Sequence, residues 1–181
     1  MKNYTLTAIC AIALLSFCIA SDGNAAESGS SISGKITKDD ADFARDAAIG
    51  GMAEVQLGQI AGERAASPEV KDFGRRMQKD HSKANDELKN IASKKDIKLP
   101  SQLEGKHKAT VDRLSNLKGR DFDREYMSAM VNDHKETVEK FERASDKGKD
   151  PEIRKFAKDH VPILKKHLEL AEQTQKKVGE K

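Results

Sequence analysis

The sequence predicts an all-α protein, a four-helix bundle built from two related αα-hairpins joined by a long helical crossover. Three observations carry the prediction. Apolar residues recur with the 3.6-residue period of a buried helical stripe, and no stretch shows the two-residue alternation of a half-buried strand. Glycine and proline fall between the periodic segments, at Pro68, Pro100, Gly119, Gly148 and Pro151. The motifs of the first half return, in the same order, in the second.

The first segment, 1–26, reads as a secretory signal peptide. Lys2 gives it a positive start, Thr7 to Ala20 is apolar, and Ala20, Ala25 and Ala26 offer cleavage sites. The apolar run falls short of the roughly 20 residues that span a bilayer. Bulky Phe17 before Cys18 argues against a lipid anchor there. An exported, periplasmic protein is expected, with no transmembrane segment in the mature chain. Cys10 and Cys18 both lie within the signal, so the mature chain has no disulfides, thiolate metal sites or cysteine nucleophiles. Residues 27–38 are polar and rich in glycine and serine, as a flexible leader is.

The bundle domain is expected over 39–177, with 178–181 a disordered tail. Long helices are placed at 39–66, 68–94, 121–146 and 151–177, and a shorter one at 102–118 with Leu103, Val111, Leu114 and Leu117. Ser67 before Pro68 and Asp150 before Pro151 read as N-caps followed by proline at the first helical position. Gly119 is expected as a stop and Asp121 as the next cap. "FARD" at Phe43 matches "FDRE" at Phe122, and "ERAAS" at Glu63 matches "ERASD" at Glu142, both 79 residues on. "SPEVKDF" at Ser67 then matches "DPEIRKF" at Asp150, 83 residues on. Two hairpins related by duplication explain the shared order. The connector between them is too long for a tight turn. Its helix could climb roughly 25 Å at about 1.5 Å per residue. That favours the one-crossover topology of ferritin-like bundles over simple up-down-up-down.

Composition narrows the function. Charged residues make up 35% of the chain, with Lys and Arg exceeding Asp and Glu by 33 to 30 and the signs interleaved, which describes a solvated helical surface. With aromatics at 4% and no tryptophan, neither a basic stripe nor a stacking platform supports nucleic-acid binding. No Ser-His-Asp order or glycine-rich phosphate loop marks a hydrolase or nucleotide enzyme, so binding is favoured over catalysis.

Against that background, several polar residues sit on apolar stripes. Glu54 falls opposite the polar face of the first helix, among Ala47, Gly50, Leu57 and Ala61. His81 lies on the stripe of Val70, Phe73, Met77, Leu88 and Ile91, and His134 on that of Met127, Met130, Val138 and Phe141. His160 and His167 share a face with Ile153, Phe156, Leu164 and Ala171, with Pro162 between them to bend the helix. Glu54, His81 and His134 lie near the middle of their helices, and His160 and His167 flank the middle of theirs. Packed side by side, the helices bring these residues to one level. Imidazoles with a carboxylate are what a Zn, Fe or Cu site uses in the absence of thiolates.

Structural roles compete with that reading residue by residue. A single core histidine can be a hydrogen-bonded packing residue, and Glu54 can pair with His81. Met77 and Met130 read as packing. Asp80 and Asp133 are solvated or orient imidazoles on a neighbouring helix. His107, on the connector, is expected to be exposed. A carboxylate-bridged di-iron centre is disfavoured: Gln78, Val131, Ala157 and Leu164 stand three residues before the four core histidines, and Glu104 with His107 is the only Glu-x-x-His pair. Three readings remain: a metal-binding bundle with Glu54, His81, His134 and His167 as ligands and His160 in reserve; a non-catalytic envelope stress or interaction protein with a structural or pH-sensing His/Glu network; and, less favoured, a redox enzyme using an open coordination position on the metal.

"MQKDHSKANDELKNIASKKDIKLP", "FDREYMSAMVNDHKETVEKFE" and "VPILKKHLELA" resemble the exported bacterial helical-bundle family known as domain of unknown function 4142. The likeness runs over about Ala41 to Gln173. It implies a ferritin-like bundle in the periplasm or cell envelope, with His81, His134 and His167 at family positions. Glu54 fits the family's acidic position less distinctively, and His160 lies outside the three blocks. The resemblance implies a fold and a compartment but no activity.

Overall fold

Helix boundaries follow the punctuation of the sequence closely. The structure, a computed structural model, describes residues 36–179; the expected signal peptide and nearly all of the leader lie outside them. The helices are α1 (Lys38–Arg64), α2 (Pro68–Lys94), α3 (Gly105–Ser115), α4 (Gly119–Lys147) and α5 (Pro151–Gly179). Thr37 caps α1, its side-chain oxygen accepting the Asp40 N–H at 3.2 Å. Gly119 opens α4 with a φ of +65° instead of ending the preceding segment, a left-handed conformation that favours glycine.

Asp150 behaves as the expected cap, its Oδ1 accepting the N–H groups of Glu152 and Ile153 at 3.0 Å each. The Ser67 side chain does not cap α2. That turn is held from across the bundle, where buried Asp123 of α4 accepts the N–H groups of Ala66 and Ser67 at 3.0 and 2.8 Å. Asp40 of α1 mirrors it, accepting from Lys149 at 3.2 Å and Asp150 at 3.0 Å. The first helix of each hairpin thus closes the turn of the other, and a buried carboxylate finds its partners in backbone donors.

The core falls into two apolar blocks. One joins Ala41 and Ala44 of α1 with Leu88 and Ile91 of α2, Val138 and Phe141 of α4, and Ile153 and Phe156 of α5. The other joins Leu57 and Ala61 with Val70, Phe73 and Met77, with Phe122, Tyr126 and Met130, and with Ala171. Early residues of α1 and α5 therefore share an end with late residues of α2 and α4. Helices α1 and α5 run one way, α2 and α4 the other. Because α2 and α4 are parallel, the connector must travel back along the bundle. It does so from Ile97 in the first block to Val111 and Leu114 in the second. Ion pairs of Lys106 with Glu136 and of Arg113 with Glu125 fasten α3 to α4. The ferritin-like one-crossover topology is the one observed.

Helices α1 and α2 approach closely at two glycines. A Cβ at Gly58 would lie 2.4 Å from the Gly74 carbonyl oxygen, and one at Gly74 would lie 2.6 Å from Ala61 Cβ. Met77 and Met130 are fully enclosed in the second block, consistent with packing. Between the two blocks sits a polar layer.

Candidate metal centre

Each helix of the bundle places its polar core residue in that layer. Mid-helix position on the apolar face sets both depth and direction, so α1 supplies Glu54, α2 His81, α4 His134 and α5 His167. The three imidazoles form a nearly equilateral triangle, with ring centroids 5.8 Å apart for His81–His134, 5.4 Å for His81–His167 and 5.6 Å for His134–His167. One ring nitrogen from each lies within 4.8 Å of the other two. His134 and His167 are each 1% exposed, and His81 is half-buried with its Nε2 shielded.

The hydrogen bonds fix which nitrogen is free. His134 Nδ1 lies 2.9 Å from the Met130 carbonyl oxygen, to which it can only donate, so the neutral ring keeps its lone pair on Nε2. His167 Nε2 lies 2.9 Å from Asp80 Oδ2, which leaves the lone pair on Nδ1. Asp80 is itself 3.4 Å from the Arg76 guanidinium. Of the two roles open to Asp80, orienting an imidazole on a neighbouring helix is the one seen. His134 Nε2, His167 Nδ1 and His81 Nε2 are buried and lack a hydrogen-bond partner. Buried polar atoms are seldom left without a partner, and these three belong to neighbouring rings.

Burial also sets the charge of the layer. Desolvation holds the His81 ring well below the usual imidazole range, with the nearby rings of His134, His167 and His160 adding to the effect. Desolvation takes His134 down to about 4 against the opposing pull of the Asp133 carboxylate. It lowers His167 as well, although the bond from Asp80 works the other way. The three rings are therefore neutral at neutral pH, the form that binds a metal without first releasing protons.

Glu54 does not complete this triangle. Its carboxylate groups instead with Asp133 and His134, all three offering atoms within 4.8 Å of one another. Glu54 Oε1 is 3.9 Å from His134 Nδ1, beyond hydrogen-bonding distance, and Oε2 is buried without a partner. Burial, reinforced by the Asp133 charge, pushes the Glu54 carboxyl well above its ordinary range. His160 stays outside both groups. Its Nδ1 meets the Phe156 carbonyl at 2.9 Å, its Nε2 is 3.9 Å from Glu87, and its ring lies against Phe156 with centroids 4.3 Å apart. Pro162 thus separates one histidine that reaches the triangle from one that does not.

The layer opens into a cavity of about 360 Å³ lined by Glu54, Asp80, His81, Asp133, His134, His160 and His167. His107 lines it too. Contrary to the exposed position expected, its side chain is only 19% accessible, with Nδ1 4.0 Å from Asp133 Oδ1. The role of Asp133 beside Glu54 also escaped the sequence reading. The one signal for His107 was the Glu104-x-x-His107 spacing on the connector helix.

A family model described as "Domain of unknown function (DUF4142)" matches residues 25–174. No curated protein matches the chain. Solved structures share its fold. A DUF305 fragment from Deinococcus radiodurans is 15% identical with a TM-score of 0.69, the match covering 78% of this chain and 98% of that one. A DUF305 protein from Streptomyces coelicolor described as secreted is 16% identical with a TM-score of 0.67, covering 78% and 94%. CopM in its Cu(I)-bound form is 19% identical with a TM-score of 0.62, covering 74% and 93%, and its Cu(II)-bound form matches as well. At these identities the likeness is one of fold. No helix among the described residues is long and apolar enough to cross a membrane.

Proposed function

This chain belongs to the DUF4142 family, and we propose that it is an exported copper-binding bundle in which His81, His134 and His167 hold one copper ion. A single observation carries the reading: imidazoles from three helices bring ring nitrogens within 4.8 Å of one another, and each ring has a buried nitrogen with no hydrogen-bond partner. Neutral imidazoles with no thiolate suit copper, and a bundle of the same fold, CopM, is known with Cu(I) and with Cu(II) bound. Asp80 and the Met130 carbonyl act as the outer partners that hold ligand rings in one tautomer. His160, on the same cavity wall, is a reserve donor. The residues supply ligands and no evident acid-base pair aimed at a substrate, so the reading is of a binding protein, not an enzyme. The signal-like start of the sequence supports export, with the bundle domain following the leader.

The rival is a structural or pH-sensing network, favoured by the two hydrogen bonds that already anchor His134 and His167. Untagged mature protein titrated with Cu(I) against a chromophoric chelator separates the two. One Cu(I) per chain is expected, with affinity falling at least about tenfold in H81L, H134L and H167L. Absence of stoichiometric copper, together with higher stability in all three variants, would establish the structural network instead.

A further inference from the structure

We propose a second cation site beside the three-histidine triangle, formed by Glu54, Asp133 and His107 and suited to a divalent transition-metal ion with a preference for oxygen ligands. It does not rest on copper binding by the triangle. Glu54 lines the cavity as a carboxylate 3% exposed, and its Oε2 has no partner. A carboxylate taken out of water and left unpaired either takes up a proton or recruits a cation. Asp133 stands beside it, within the 4.8 Å grouping that also contains His134, and would repel the charge on Glu54 unless a cation lay between them. His107 supplies a third donor, its Nδ1 4.0 Å from Asp133 Oδ1.

The crossover helix is what makes the site possible. Gly50 lies one turn before Glu54 on α1, and a Cβ there would sit 3.8 Å from His107 Cε1, so the ring lies over that turn of α1. Glu54, Asp133 and His107 also line a second cavity, of about 220 Å³, on the α3 side, so they form the wall between two spaces. Four-coordinate ligands about 2.1 Å from a metal stand about 3.4 Å apart, and Asp133, 4.0 Å from His107 and within 4.8 Å of Glu54, is the hub about which side-chain rotation would draw the three together. Two carboxylates and one imidazole neutralise a divalent ion. The triangle, with three neutral nitrogens, brings no charge to offset that of an ion and is an imidazole set of the kind that suits copper. His134, a corner of the triangle, also lies within 4.8 Å of Glu54 and Asp133, which places the two sites side by side.

Cobalt(II) tests the proposal, because its visible ligand-field bands report coordination. In an H81L/H167L chain, which lacks the triangle, one Co(II) per chain is expected. Adding H107A or D133N should weaken that binding at least about tenfold. Both added positions are partly exposed, so helicity by circular dichroism should remain unchanged. If H81L/H167L does not fold, the same comparison is made between wild type and H107A, where bound Co(II) should fall by one per chain. Co(II) absent from a folded H81L/H167L chain, or uptake indifferent to H107A and D133N, would overturn the site.

Discussion

Protonation of His134 should govern the acid stability of the metal-free bundle. Folded, its ring titrates at about 4, chiefly because it is desolvated; unfolded, it returns to 6.5. Above pH 6.5 the ring is neutral in both states and stability does not depend on it. Between 6.5 and about 4 the unfolded chain binds a proton that the folded chain refuses, so stability falls with pH, and below about 4 the loss is complete. At about 1.36 kcal/mol per pH unit, the interval from 6.5 to about 4 amounts to about 3 kcal/mol. H134L removes the titrating group without orphaning the Met130 carbonyl, which keeps its helical N–H partner. Urea unfolding of apo wild type and H134L from pH 7.5 to 4 should show stabilities diverging by about 3 kcal/mol in favour of the variant as pH falls. Parallel curves would mean that His134 is already charged or solvated in the folded chain, and would refute the desolvated layer.

Glu54 should act with the opposite sign. Its folded pKa is raised above 4.5, so stability is lost as pH climbs above 4.5 toward the folded value; E54Q should therefore flatten the alkaline side of the apo stability profile measured by thermal denaturation. D80A should weaken copper binding about 10–100-fold in a chelator competition without changing its stoichiometry, because His167 loses the partner that sets its tautomer. At the α1–α2 contact, G74A must displace Ala61 and should cost about 1–3 kcal/mol in urea unfolding. G62A, with nothing within 4 Å of the added methyl, should instead gain about 0.5–1 kcal/mol.

The helices and their order were legible because long apolar stripes and Gly/Pro punctuation are local signals. The crossover followed from connector length alone. His81, His134 and His167 could be placed at one level because mid-helix depth survives small boundary errors: α5 runs to Gly179, two residues past its expected end, without moving His167. What escaped the sequence was decided by contacts between distant segments. Asp123 and Asp40 close turns 56 and 110 residues away, and no local pattern marks them as caps. Glu54 groups with Asp133 and His134 of α4 and not with His81 and His167, a rotation that a helical wheel does not specify. His107 went from an expected surface position to the cavity wall because Val111 and Leu114 bury α3 against the bundle, which lays the His107 ring over the Gly50 turn of α1.

The proposed copper site uses three imidazoles and no methionine sulfur. X-ray absorption at the copper edge of Cu(I)-loaded mature protein tests it most directly. Three nitrogen neighbours with the multiple scattering of imidazole rings are expected, reduced by one ring in H81L. A shell containing sulfur from Met77 or Met130, or one unchanged in H81L, would contradict it.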